Sequence, residues 1–166
     1  MARSRPPEVA LFHFSTEVRV RLPETDAMGI VFHGCFFTYL EVGRMDYLRN
    51  LGLGESIRPI RAFANLVRHV ECDFVSPARF DDLLIVQVRL AEIGRTSFKF
   101  EFLIRHKRDN REVAHGESIH VAVDDAFRPI RVPDEFRTTI RGFEKGGLAE
   151  TDVPRKTRAP KVRKKS

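Results

Sequence analysis

Residues 14–51 read FSTEVRVRLPETDAMGIVFHGCFFTYLEVGRMDYLRNL, and the spacing of the apolar side chains changes within this stretch. In 14–22 every second residue is apolar or Thr, a pattern that predicts a half-buried β-strand. Glycines and a proline then interrupt the regular spacing in 23–34, which indicates a loop. From 34 to 50 the apolar residues recur with a helical period and stop before Gly52, which predicts a long helix. The domain is therefore expected to begin with a strand, a loop and a long helix.

Two charged residues, Glu41 and Arg44, fall within the apolar face of the predicted helix. The apolar residues on that face are Phe36, Phe37, Leu40, Tyr47, Leu48 and Leu51. A charge among core-facing residues is costly unless it is paired, and the three-residue spacing allows these two side chains to form an ion pair. We expect a structural ion pair; the alternative is that Glu41 lines a substrate pocket.

Four further strand-like runs follow the helix, at 63–75, 83–93, 96–106 and 112–123, and 133–142 is a candidate closing helix. Short links join the runs, which indicates that successive strands are antiparallel neighbours. With the first strand they predict an α+β fold, in which a curved five-stranded antiparallel sheet wraps around one long central helix. Such a sheet leaves other surfaces available for self-association, so we expect an oligomer.

Length and composition argue against several classes of protein. The chain has 166 residues, enough for one domain whose core needs no disulfide or metal for stability. Its two cysteines make no disulfide framework, and there is no HExxH or CxxC pattern, so no metal site is predicted. No apolar stretch is long enough for a membrane span or a secretory signal, and a cytoplasmic location is expected.

The net charge of +6 is concentrated at the C-terminal end of the chain. Residues 145–166 contain eight Lys and Arg against two acidic residues, so that 1–144 are balanced overall. This basic, proline-containing stretch is typical of a disordered tail, and it has no aromatic residues on which bases could stack. We therefore expect an N-terminal extension at 1–11, one folded domain at 12–144, a disordered tail at 145–166, and no nucleic-acid partner.

Two blocks of the sequence identify a family resemblance. They are VRVRLPETDAMGIVFHGCFFTYLEVGRMDYLR at 18–49 and FVSPARFDDLLIVQVRLAEIGRTSFKFEF at 74–102, and together they resemble the 4-hydroxybenzoyl-CoA thioesterase family, including its Tol–Pal-associated bacterial branch. The matching residues in the first block are Thr25, Asp26, Gly29, Val31, His33, Tyr39, Glu41, Arg44, Tyr47 and Leu48. The resemblance covers roughly 12–140. It implies a hot-dog fold, hydrolysis of acyl-CoA without metal or organic cofactor, and assembly as a homodimer or a dimer of dimers.

The resemblance also implies a catalytic site. The family's catalytic carboxylate corresponds to Asp26, which either activates a water molecule as a general base or attacks the thioester directly. The backbone amide that polarises the thioester carbonyl corresponds to His33, at the positive end of the long helix, and the branch's histidine side chain corresponds to the same residue. Gly29, Val31 and Gly34 are expected around the substrate pocket, with the glycines allowing close approach of the backbone.

Other parts of the substrate site are less closely specified. The phosphates of coenzyme A need cationic contacts, and the family places a hairpin turn carrying Arg95, Thr96 and Lys99 near the nucleotide. One departure concerns Leu22, because the bacterial branch often has a tyrosine at this position.

The alternatives to a thioesterase are a non-hydrolytic binding protein for acyl-CoA or acyl carrier protein, and a hot-dog dehydratase, although no HFPG-like motif is present. Acyl length and the carrier of the acyl group stay open.

Overall fold

One sheet with a long helix packed on it forms the part of the chain that the computed structural model describes, residues 8–54 and 63–151. The two helices are α1 (His33–Asn50) and α2 (Asp134–Glu144). The strands are β1 (Phe14–Arg19), β2 (Ala64–Phe74), β3 (Leu83–Ile93), β4 (Ser97–His106), β5 (Glu112–Val123) and β6 (Ala149–Glu150). The predicted α+β fold is confirmed, with the five long strands and the long helix close to their expected positions.

The sheet order differs in one respect from the expectation. The long strands are arranged β1-β3-β4-β5-β2, with every pairing between them antiparallel. β3, β4 and β5 are successive neighbours, as the short links predict. The prediction that β2 lies beside β3 is wrong, because β2 pairs with β5 at the edge of the sheet. The link at 75–82 instead crosses to the other side of the sheet, where β3 pairs with β1 and β4.

The sheet has six strands rather than the predicted five, because Ala149–Glu150 pairs in parallel with the end of β3. Both carboxylate oxygens of Glu150 accept hydrogen bonds from Arg141, at 2.7 and 3.0 Å. This strand lies in the segment that was expected to be a disordered tail, so the ordered structure continues past Glu144. The rest of that predicted tail, 152–166, lies outside the described residues, as do 1–7.

Close packing of α1 on β3 depends on Gly43. A Cβ atom at this position would lie 2.7 Å from a methyl group of Val86 and 2.8 Å from one of Val88. The two valines lie on the buried face of β3. The absence of a side chain at Gly43 therefore lets the helix backbone approach the sheet.

The buried face of α1 is rotated relative to the predicted one. Tyr39, Leu40, Tyr47 and Leu48 are almost completely buried, whereas Phe37 is 38% exposed. Because the line of closest approach to the sheet runs through Gly43, Phe37 falls at the margin of the buried face. The prediction that Phe37 belongs to the core is therefore wrong.

Candidate active site

A buried carboxylate, Glu24, holds the loop between β1 and α1. The backbone N–H of Arg21 donates to Glu24 Oε2 at 2.8 Å, and its guanidinium donates two hydrogen bonds to Oε1. From α1, the Tyr39 hydroxyl donates to Oε2 at 2.8 Å. Burial alone would raise the pKa of Glu24, but the hydrogen bonds from Arg21 and Tyr39 outweigh it and hold the pKa below its ordinary value. Glu24 thus ties the loop to the helix as an anion.

The Asp26 carboxylate stands on a tight turn directly after this anchor. The Asp26 N–H donates to the carbonyl of Ile30 at 2.9 Å, and the Gly29 N–H donates to the Asp26 carbonyl at the same distance. Gly29 has a φ of 70°, a left-handed conformation that glycine adopts without steric cost. The Met28 N–H fixes Asp26 Oδ1 at 2.8 Å, while Oδ2 accepts no hydrogen bond from the described residues. Asp26 is exposed to solvent, with one oxygen positioned and the other available.

The first turn of α1 presents free backbone donors beside this turn. Phe32 precedes the helix without any side-chain cap, and neither His33 N–H nor Gly34 N–H has an acceptor among the described residues. These groups lie at the positive end of the helix dipole. A Cβ at Gly34 would lie 2.8 Å from the ring of Phe32, so only glycine fits under that ring without displacing it. The helix start is therefore open to an anionic or strongly polarised oxygen.

Asp26 and the helix start share one cleft of about 420 Å³. Val31, His33 and Phe36 line it from the motif side, and Phe74 with residues 75–78 lines it from the end of β2. The Val31 N–H donates to the carbonyl of Ala78 at 2.8 Å, which joins the two sides. The structure thus brings together Asp26, Val31 and His33, while Gly29 and Gly34 shape the backbone around them without lining the cleft.

Glu41 lies outside this cleft, paired with Arg44 as expected. Arg44 Nη2 donates to Glu41 Oε1 at 2.5 Å and Nε donates to Oε2 at 2.8 Å. Only the Arg44 side chain is buried, at 5% exposure, and the Glu41 side chain is 52% exposed. The ion pair is confirmed, but the expectation that both charges face the core is wrong for Glu41. Both residues line a second, smaller cavity.

The structure does not bring Arg95, Thr96 and Lys99 to the Asp26 cleft. Arg95 and Thr96 lie in the turn between β3 and β4, whereas the cleft adjoins the opposite end of β3, roughly 35 Å away along an eleven-residue strand. Lys99 lies within β4, roughly 17 Å along that strand from Ile104, which is level with Phe74 of the cleft. Lys99 is also engaged by Glu117 at 3.0 Å and Glu101 at 3.5 Å. Burial would lower the pKa of Lys99, but these carboxylates outweigh it and raise the pKa above its ordinary value.

One group of side chains outside the cleft could place three ligand atoms near a cation. His69, Glu71 and Glu117 have ligand atoms within 4.8 Å of one another on the sheet. Two of these residues are exposed, and Lys99 already neutralises the third. Among the residues that the structure describes, no helix is long and apolar enough to cross a membrane.

Comparison with known proteins places the chain in a family. Residues 28–113 match the family model of the thioesterase superfamily. The acyl-CoA thioester hydrolase YbgC of Escherichia coli is 30% identical over 111 residues, which cover 67% of this chain and 82% of that protein. The chloroplastic acyl-acyl carrier protein thioesterase ATL3 of Arabidopsis thaliana is 27% identical over 134 residues, which cover 80% of this chain and 69% of that protein.

Solved structures agree with the predicted hot-dog fold. A thioesterase from Thermus thermophilus, solved in complex with coenzyme A and zinc, is 27% identical to this chain, with a TM-score of 0.70. The match covers 81% of this chain and 96% of that one. The fold, the matched family model and the shared identity together establish that this chain belongs to the thioesterase superfamily.

Proposed function

We propose that this protein hydrolyses acyl-CoA thioesters in the Asp26 cleft, releasing a free acid and coenzyme A. The observation that carries the proposal is a cleft lined by both Asp26 and His33, at a helix start whose first two N–H groups have no acceptor among the described residues. The names of the relatives from Escherichia coli and Thermus thermophilus support the same reaction. The apolar wall formed by Phe36, Phe74 and Val75 suits an acyl group.

The chemistry follows from the two halves of the cleft. The thioester carbonyl oxygen accepts hydrogen bonds from the His33 and Gly34 N–H groups, which stabilise the negative charge that develops on it. Asp26 then either takes a proton from a water molecule that attacks the carbonyl carbon, or attacks that carbon itself and forms an anhydride that water cleaves. In both routes the thiolate of coenzyme A leaves and water supplies the hydroxyl of the acid. Leu22 offers no hydroxyl group to this chemistry.

A homodimer formed along β2 fits the exposed surface. β2 is an edge strand of eleven residues, and its side chains Leu66, Val67, Val70 and Phe74 are 40% to 57% exposed. A long, apolar edge strand in water invites pairing with another strand. Antiparallel pairing of β2 with the β2 of a second copy would give the unpaired backbone groups of both edge strands hydrogen-bond partners. One two-fold axis would then relate the two subunits.

The same pairing would give the Arg95–Thr96 turn a place in the site. Across the sheet, Ser97 lies opposite Val121, and Val121 lies opposite Leu66, so the turn is level with the start of β2. The cleft is level with the other end of β2, at Phe74. Antiparallel pairing across the edge therefore brings the turn of one subunit towards the cleft of the other, where its cation can meet the phosphates of coenzyme A.

A hydrolysis panel tests the proposed activity. Purified protein is incubated with short, long and aromatic acyl-CoAs and with an acyl carrier protein thioester, and release of thiol is measured. The proposal expects catalytic thiol release from at least one acyl-CoA. Hydration of an enoyl-CoA without thiol release, or binding without turnover of any thioester, would overturn it.

A further inference from the structure

A second cavity lies between α1 and β2, displaced along both elements from the Asp26 cleft. Its volume is about 150 Å³. The cleft is bounded by Phe36 and Phe74, and the cavity by Leu40 and Val70, four residues further along the helix and four residues back along the strand. From the rise of each element, the two spaces are separated by roughly 6 to 13 Å. This separation is within the length of an aliphatic acyl chain that leaves the cleft along α1 and β2.

A buried guanidinium borders this cavity with one donor unused. Arg44 is 4% exposed, and its Nε and Nη2 are taken by Glu41. Its Nη1 is buried and has no acceptor among the described residues. Buried donors in native proteins nearly always have partners, so an unpaired charged donor beside a cavity indicates an acceptor that the described residues do not supply.

Ser118 supplies the opposite hydrogen-bonding character. His120 Nδ1 lies 2.9 Å from Asn65 Oδ1, and His120 Nε2 lies 2.9 Å from Ser118 Oγ. Burial and the Arg44 charge lower the pKa of His120 to about 3, so the ring is neutral and carries a single N–H. With that hydrogen donated to Asn65 Oδ1, Nε2 accepts the Ser118 hydroxyl hydrogen, and Ser118 Oγ keeps only lone pairs to offer the cavity.

We propose that this cavity binds a hydroxyl group carried by an aliphatic acyl chain, far from the thioester. The hydroxyl oxygen accepts a hydrogen bond from Arg44 Nη1, and its hydrogen is donated to Ser118 Oγ. This inference rests on the proposed function, because it takes the Asp26 cleft as the place of the thioester. Phe37, Val67 and Phe102 complete an apolar surround for the carbon chain.

The donor and acceptor pair selects against other chain ends. A methyl end would leave Arg44 Nη1 without an acceptor and the Ser118 Oγ lone pairs without a donor, and a keto oxygen would leave Ser118 Oγ without a donor. A carboxylate would add a second negative charge beside Glu41, whose charge already balances Arg44. A site built to hydrogen-bond a hydroxyl discriminates strongly against the analogue that lacks it.

The test compares kcat/KM for ω-hydroxyacyl-CoAs and unsubstituted acyl-CoAs of equal chain length, across a series of lengths. We expect the wild type to prefer the hydroxylated substrate by at least about tenfold at the length that reaches the cavity, and to show no preference for short chains. Ser118→Ala should remove most of this preference while leaving hydrolysis of a short acyl-CoA unchanged.

A second pair of variants guards against misfolding of Ser118→Ala. Val70→Phe fills the rim of the cavity and should lower kcat/KM for the preferred hydroxylated substrate at least about tenfold, relative to a short acyl-CoA. The matched control is Val42→Phe, at a similarly exposed position of α1 that does not line the cavity, and it should leave the ratio unchanged.

The outcomes separate this inference from the proposed function. Hydrolysis of unsubstituted acyl-CoAs with no hydroxyl preference at any length would overturn the inference and leave the thioesterase proposal standing. A preference that survives both Ser118→Ala and Val70→Phe would also overturn it. Absence of hydrolysis of every acyl-CoA would refute the proposed function itself, and with it the inference.

Discussion

At the scale of single residues, the position of His33 separates a backbone contribution from a side-chain one. Its N–H lies at the first position of α1 and has no acceptor among the described residues, while its ring lies between Phe32 and Phe74, with centroids 4.2 and 6.4 Å away. Proline is well tolerated at the first helical position, and the residue before it, Phe32, already has an extended conformation with ψ of 130°. The N–H can therefore be removed without breaking the helix.

We predict that His33→Pro lowers kcat by about 10²–10³, the usual effect of losing one oxyanion donor, and that His33→Ala lowers it much less. The measurement is steady-state hydrolysis of the best acyl-CoA, with circular dichroism to verify the helix. Equal losses in the two variants would assign the effect to the imidazole and contradict a role for the backbone N–H.

The ion pair on α1 gives a second prediction at this scale. Glu41→Gln leaves the buried Arg44 charge without its counter-ion, and Arg44→Met leaves an apolar group in its place. Because Glu41 is half exposed, we expect Glu41→Gln to lower the free energy of unfolding by about 1–3 kcal/mol, which is less than the loss from breaking a fully buried pair. The double variant should recover much of that loss.

Urea unfolding of the two single variants and the double variant measures these differences. Arg49→Met, in the exposed Asp46–Arg49 pair of the same helix, is the matched control and should change the free energy of unfolding by less than about 1 kcal/mol. A Glu41→Gln enzyme that unfolds like the wild type but turns over at least about 100-fold more slowly would have lost transition-state stabilisation and not folding energy. That result would place Glu41 in the active site.

At the scale of elements, the Glu144 carboxyl group links α2 to α1 and β3 through hydrogen bonds. The Tyr47 hydroxyl of α1 donates to Glu144 Oε1 at 2.5 Å, and the Leu90 N–H of β3 donates to the same oxygen at 3.0 Å. Glu144 is 1% exposed, and its burial raises its pKa above the ordinary value despite these hydrogen bonds. A raised pKa means that the folded state holds this proton more tightly than the unfolded chain does.

The stability contributed by that proton is complete below the ordinary carboxyl pKa of about 4.3 and is lost as the pH rises through the folded pKa. We predict that the free energy of unfolding of the wild type, relative to that of Glu144→Gln, falls as the pH rises from the ordinary carboxyl pKa through the folded pKa. The fall is about 1.4 kcal/mol for each unit by which the pKa is raised. Thermal melts of both proteins from acid to neutral pH measure it, with Glu135→Gln on the exposed side of α2 as the matched control. A wild-type advantage that grows with pH would contradict this account.

Most elements could be predicted because alternation and helical spacing reveal which side chains are buried. Alternation does not reveal which strand is the neighbour, so the short link after β2 predicts pairing with β3, whereas β2 pairs with β5. β6 has two residues and no periodicity to detect. The motif predicts a site at Asp26 and His33, and both residues line one cleft; Glu24 is not predicted, because its role is visible only in its hydrogen bonds to Arg21 and Tyr39.

At the scale of the whole molecule, the cleft of one chain is lined by Asp26 and His33, but the described residues that line it include no Lys or Arg that could bind coenzyme A. The turn with Arg95 lies at the far end of the same sheet. If a second copy pairs along β2, each site draws Asp26 from one subunit and Arg95 from the other. This arrangement predicts complementation between two defective variants.

We expect Arg95→Ala to raise KM for acyl-CoA and Asp26→Asn to lower kcat by about 10²–10⁴. Mixing the two variants under subunit exchange should produce heterodimers with one intact site, restoring about a quarter of the wild-type sites in a two-fold symmetric dimer. Activity at low acyl-CoA concentration, with the oligomeric state followed by light scattering, measures the recovery. A mixture no more active than the average of its two components would show that each subunit supplies its own residues.

The central claim is that the Asp26 carboxylate drives thioester hydrolysis, and Asp26→Asn tests it most directly. Asn keeps the oxygen that accepts the Met28 N–H, so the turn is preserved while the basic and nucleophilic oxygen is lost. The account predicts a loss of about 10²–10⁴ in kcat with an unchanged melting temperature, and a wild-type rate for the exposed control Asp125→Asn. An Asp26→Asn enzyme that keeps more than about a tenth of the wild-type kcat would contradict the account, because a positioned acid–base group contributes far more than that.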